Sequence, residues 1–125
     1  MAEADNTDAA LLSFLTSSTA VEHGLMRAIS LLEGKLHPTG DEEREINFRA
    51  PQLRSALALV QQKELAAIRG LTEITAPTDA NVEQAKSISI ALDQMTSDDA
   101  AVNDVVAKSI ELLQAWGNLT QSNLA

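Results

Sequence analysis

With 125 residues and 13.3 kDa the chain suits a single domain over residues 1–125, and its 45% hydrophobic content is enough to form a core. Nine Lys plus Arg against 18 Asp plus Glu leave a net charge of -9. That balance argues against nucleic acid and anionic membrane as partners, since both are gripped by clustered bases. Cysteine is absent, so disulfides, thiolate metal sites and Cys nucleophiles are excluded and a reducing, cytoplasmic location is expected.

The acidity is uneven. Residues 1–40 hold 5 acids and 2 bases, residues 41–76 hold 6 and 5, and residues 77–125 hold 7 and 2. The two ends therefore carry most of the excess, where it favours solubility and can steer a basic partner.

In chain order, Met1 to Asp8 is polar and acidic, unlike a secretory signal, and residues 1–7 read as a flexible N-terminus. No apolar run approaches the roughly 18 residues of a membrane span. From Thr7 to Leu36 the residues Leu11, Phe14, Leu15, Val21, Leu25, Ile29, Leu32 and Leu36 recur at helical spacing. His37-Pro38-Thr39-Gly40 predicts the end of this helix, with a left-handed turn at Gly40. Thr39 and Glu42 have capping-box spacing, which leaves room for a short extra helix over Asp41 to Ala50 in the first connection. Pro51 is then expected as the first residue of a second main helix with the stripe Leu53, Leu57, Val60, Ala67, Ile68 and Leu71, stopped at Ala76-Pro77. A third helix starts at Thr78 or Asp79 and carries Ala85, Ile88, Leu92 and Met95. Thr96-Ser97-Asp98-Asp99 reads as a break with caps for a fourth, carrying Val102, Val105, Val106, Leu113 and Trp116 to a stop at Gly117-Asn118. Residues 118–125 are expected to fray. The predicted fold class is all-α, an antiparallel four-helix bundle.

Few residues carry chemistry. Glu22 and Glu64 fall on or beside apolar stripes, where a carboxylate needs a partner; a salt bridge to Arg54 or Arg69, or a place in water at the stripe edge, is expected. A di-iron site would need paired Glu-x-x-His motifs, and the chain has none. Glu111 and Asp93 fall opposite their stripes. His37 with Asp41, Glu42, Glu43 and Glu45 reads as a charged, solvated connection, and no spacing matches a calcium loop. No nucleophile elbow or phosphate-cradling glycine loop is present, so no enzyme activity, metal or cofactor is expected. The echo of Ala85-Lys86-Ser87-Ile88 in Ala107-Lys108-Ser109-Ile110 reads as accidental.

The informative feature is surplus apolar surface. Leu12, Leu31, Leu59, Leu65, Ile74, Ile90, Leu112 and Leu119 fall away from the stripes, and a second interface would use them. The last helix widens its apolar face most, so Val105, Leu112 and Leu119, with Leu12, are the expected partner-binding residues. The reading is a non-enzymatic module that binds another protein, or itself as a homodimer, through an apolar strip with an acidic rim. In size, acidity and helicity the chain is similar to small bacterial secretion chaperones and adaptors, a likeness of bulk properties.

An alternative rests on His23, which lies well off the first stripe and should be exposed. His23-Gly24-Leu25-Met26-Arg27-Ala28 resembles the motif of histidine phosphotransfer domains, which implies a phosphoacceptor role for His23. Leu25 matches the hydrophobic position, whereas Met26 stands where that family has Lys and Arg27 where it has a small residue.

Overall fold

The computed structural model describes residues 8–71, 74, 77–96 and 101–121, and these form four helices and no strand. Helix α1 spans Asp8–Glu33, α2 Gly40–Ile68, α3 Asp79–Asp93 and α4 Val102–Gln121. The expected flexible residues 1–7, the caps Ser97, Asp98 and Asp99, and the end of the frayed tail at 122–125 lie outside the described residues.

Helix α1 ends at Glu33, before the expected Leu36, which is exposed beyond it. Here the left-handed residue is His37, at φ 50, while Gly40 opens α2. Thr39 caps α2 as its spacing predicts: its hydroxyl accepts from the Glu42 N–H at 3.2 Å and the Glu42 carboxylate accepts from the Thr39 N–H at 2.9 Å. The helix so started runs 29 residues straight through Pro51, so the short helix and the second main helix of the sequence reading are one. Pro51 removes only the hydrogen bond to the Asn47 carbonyl. Both residues are exposed, which leaves that carbonyl open to water, while Ala50 and Leu53 on either side are buried and hold the helix to the core.

The stop of α2 comes earlier than Ala76-Pro77. Gly70 takes φ 70, its N–H donates to the Ala67 carbonyl at 3.1 Å and the Leu71 N–H donates to the Ala66 carbonyl at 2.8 Å. This is a Schellman closure, and the left-handed position explains why glycine stands there. Ile68 and Leu71, expected in the buried stripe, are exposed. Helix α3 starts at its predicted cap, the Thr78 hydroxyl accepting from the Asn81 N–H at 3.1 Å. Helix α4 continues through Gly117 to Gln121 because Leu119 is fully buried and holds the last turn in place.

Helices α1 and α4 each touch all the others, whereas α2 and α3 share no contact among the described residues. The α1–α4 approach is close: a Cβ added at Gly24 would lie 2.5 Å from a methyl of Leu112. Small residues on both helices, Ser17, Ala28, Ser109 and Ala115, are buried. The serine hydroxyls are satisfied within their own helices, Ser17 donating to the Ser13 carbonyl at 2.9 Å and Ser109 to the Val106 carbonyl at 2.7 Å. One end is closed by Phe14, Ala67 and Ile74, with Trp116 tilted against Phe14 at a ring separation of 6.0 Å.

This arrangement corrects the expectation of surplus leucines. Leu31, Ile74, Leu112 and Leu119 are buried in the core. A helix with one neighbour buries a stripe, but α1 and α4 have three each, so residues well off the stripe are covered too. The two Ala-Lys-Ser-Ile echoes also differ in environment: Ser87 is exposed and Ile88 buried, Ser109 buried and Ile110 exposed.

Candidate interaction surface

Helix α2 buries only Ala50, Leu53, Val60 and Ala67 along its length. Its opposite side carries exposed apolar residues, Phe48 at 58%, Leu59 at 61% and Leu65 at 48%. Leu12 is exposed at the start of α1, the end at which α1 packs beside Ala67 of α2. Around Phe48 most of the charged groups pair locally, although Arg49 Nε is buried without a hydrogen-bond partner among the described residues. The Arg49 guanidinium sits 5.4 Å over the Phe48 ring, 3.7 Å from Glu45, and donates to Gln52 at 3.0 Å. Arg44 pairs with Asp41 one turn back.

Three polar contacts join α2 to α1. At one end of the helix pair Arg54 is paired with Glu33; these two, with Ile46, Asn47, Ala50 and Pro51, line a shallow cleft of about 310 Å³. Farther along, the Ser18 hydroxyl donates to Glu64 at 2.8 Å and Gln61 donates to Glu22 at 3.4 Å. Neither Glu22 nor Glu64 pairs with Arg54, contrary to expectation, because Arg54 lies beside Glu33. Burial, followed by the hydrogen bond with the Glu22 carboxyl, pushes Glu64 up to about 7, and the Ser18 hydroxyl acts in the opposite direction. Below that value Glu64 keeps its proton at the α1–α2 contact.

On the other side of α1, His23 Nε2 lies 2.7 and 2.8 Å from the two oxygens of Asp93, the last residue of α3. Arg27, one turn on, donates to the Leu92 carbonyl at 3.4 Å and to the Met95 carbonyl. The two side chains fasten α3 by its carbonyl end, where a cation is electrostatically favoured. His23 is exposed as the sequence predicts, with its side chain 56% accessible. Its ring nitrogen faces a carboxylate that sequence reasoning had set on the outside of α3.

Of the predicted partner-binding residues, the structure brings Val105, Leu112 and Leu119 together in the core, at 2%, 0% and 0% exposure, out of reach of a partner in the folded state. Leu12 alone remains on the surface. Among the described residues no group of three His, Asp or Glu side chains is disposed to hold a metal ion, and no helix is long and apolar enough to cross a membrane. Phe48, which the stripes did not flag, lies on α2, a helix that packs chiefly against α1. Comparison with family models, curated proteins and solved structures gave no match.

Proposed function

We propose that this chain is a non-enzymatic, cytoplasmic protein-binding module, an adaptor, chaperone or inhibitor in type, built as an antiparallel bundle. The antiparallel order is supported by the α1–α2 contacts, in which Ser18 meets Glu64, Glu22 meets Gln61 and Glu33 meets Arg54, so numbers rise along one helix as they fall along the other. The observation that carries the binding reading is the outward face of α2, where Phe48 stays exposed just after the acids Asp41, Glu42, Glu43 and Glu45, and Leu59 and Leu65 stay exposed farther along the helix. Apolar groups clustered on one face of a helix and rimmed by charge are the usual mark of a docking surface. This moves the strip from α4 to α2 and keeps its acidic rim.

The test is affinity capture with the full chain at low salt, comparing wild type with a Leu59→Asp/Leu65→Asp variant of unchanged circular dichroism. We expect a stoichiometric partner, another protein or the chain itself, to be retained by the wild type and lost by the variant. Equal retention by both would remove α2 from the contact and overturn the reading.

The second reading, phosphotransfer through His23, is favoured by one observation, the exposure of that ring on a helix of a four-helix protein. It requires Asp93 to release Nε2, and Arg27 is already committed to the carbonyls of α3. Labelling by a phosphorylated receiver domain that His23→Ala abolishes would establish it, and no labelling would end it.

A further inference from the structure

We propose that the occupant of the α2 face is a second copy of this chain, the two α2 helices lying antiparallel about a twofold axis through Ser55. The inference rests on the reading of α2 as a docking face and names what docks there.

Charge selects the occupant. Helix α1 holds Asp8, Glu22 and Glu33 against Arg27, α3 holds Asp79, Glu83 and Asp93 against Lys86, and α4 holds Asp104 and Glu111 against Lys108. Each of these helices is acidic, and a copy of a chain with net charge -9 would be repelled there. Helix α2 is the exception in carrying many charges of both signs, with five acids and four bases, to which its C-cap adds a fifth base. It is also polarised: Asp41, Glu42, Glu43 and Glu45 with the single base Arg44 lie at its start, and Arg49, Arg54 and Lys63 with the single acid Glu64 follow, with Arg69 as its C-cap. An antiparallel pair about Ser55 lays the acidic start of each helix, residues 41–45, alongside residues 65–69 of the other, which end on Arg69, and the twofold symmetry supplies that contact in both directions at once. A basic partner would instead favour the acidic helices.

The spacing of the exposed residues fits a helix lying alongside. Asp41, Phe48, Ser55, Gln62 and Arg69 recur every seven residues, and all five are exposed. So are Arg44, Pro51, Ala58 and Leu65, three positions further on in each repeat. A seven-residue repeat keeps one seam turned toward a neighbouring helix. With Ser55 on the axis, Asp41 and Arg69 are each 14 residues, about 21 Å, from it, so Asp41 of one copy comes level with Arg69 of the other. Phe48 then falls midway between Leu59 and Leu65 of the other copy. Ser55 and Ala58, both small, stand where the helices approach most closely.

The absence of cysteine makes the test clean. In the full chain, Ser55→Cys should form a disulfide-linked dimer under mild oxidation within minutes, while Ser87→Cys, equally exposed on α3, should stay largely monomeric. Sedimentation of the wild type should give twice 13.3 kDa. Arg69→Glu alone and Asp41→Arg alone should each weaken the dimer at least tenfold, and an equimolar mixture of the two should pair again, since the mixed dimer restores both opposite-charge contacts. A wild type that sediments as a monomer at 100 micromolar would overturn the proposal, as would trapping through Ser87→Cys in preference to Ser55→Cys. If that monomer still bound another protein in a manner lost in Leu59→Asp/Leu65→Asp, the docking face would stand and only its occupant would be wrong.

Discussion

Helices α2 and α4 carry similar residues and use them in opposite directions. Helix α4, 20 residues long, turns Val102, Val105, Val106, Leu112, Ala115 and Leu119 inward. Helix α2, 29 residues long, buries four. Helix α4 packs against three neighbours, while α2 is held chiefly by α1 and leaves its far side open. Whether a leucine is core or surface is thus decided less by its place on its own helical stripe than by how many helices surround that helix.

The sharpest way to break this contrast is truncation on each side of it. Leu112→Ala removes a fully buried side chain and should cost about 2–5 kcal/mol of unfolding free energy by urea denaturation; a loss below about 1 kcal/mol would mean that α4 is not seated as described. An intermediate effect tests the seat of α2 on α1. Glu64 is held up at about 7 in the fold against an ordinary 4.5, so between those values the unfolded chain releases its proton while the folded chain keeps it. Stability from this group is therefore complete below about pH 4.5 and is lost as pH rises toward 7. After discounting for the water that still reaches the side chain, the expected loss is about 1 kcal/mol. Glu64→Gln should flatten that slope when unfolding is measured from pH 4.5 to 8, and an unchanged slope would show that Glu64 is not held up in the fold. The smallest effect is expected on the open face: Leu59→Ala should change monomer stability by less than about 0.5 kcal/mol in urea at submicromolar protein, and a loss comparable to Leu112→Ala would place Leu59 in the core.

Much of the architecture was legible in the chain. The helical spacing, the Thr39 and Thr78 caps and the all-helical class follow from local chemistry, and local chemistry is what a sequence displays. Leu59, Leu65 and Leu12 were singled out as unaccounted for and are exposed. Leu112 and Leu119 were singled out on the same grounds and are buried, because their covering helices come from distant parts of the chain. The helix through Pro51 was missed since the exposure of that ring, which makes it tolerable, is a tertiary property. His23 and Asp93 stand 70 positions apart, and only the packing of α3 on α1 brings the carboxylate to the ring. The choice of His37 over Gly40 as the left-handed residue has no local sign that we can identify.

The contact between Gly24 and Leu112 has a consequence for how this sequence can change over generations. A side chain can grow at 24 only if the Leu112 methyl turns aside or the side chain at 112 shrinks. Either step alone passes through a worse-packed protein, too full in one order and hollow in the other. The pair is thereby coupled in substitution, the cost of a change at either position depending on the residue at the other.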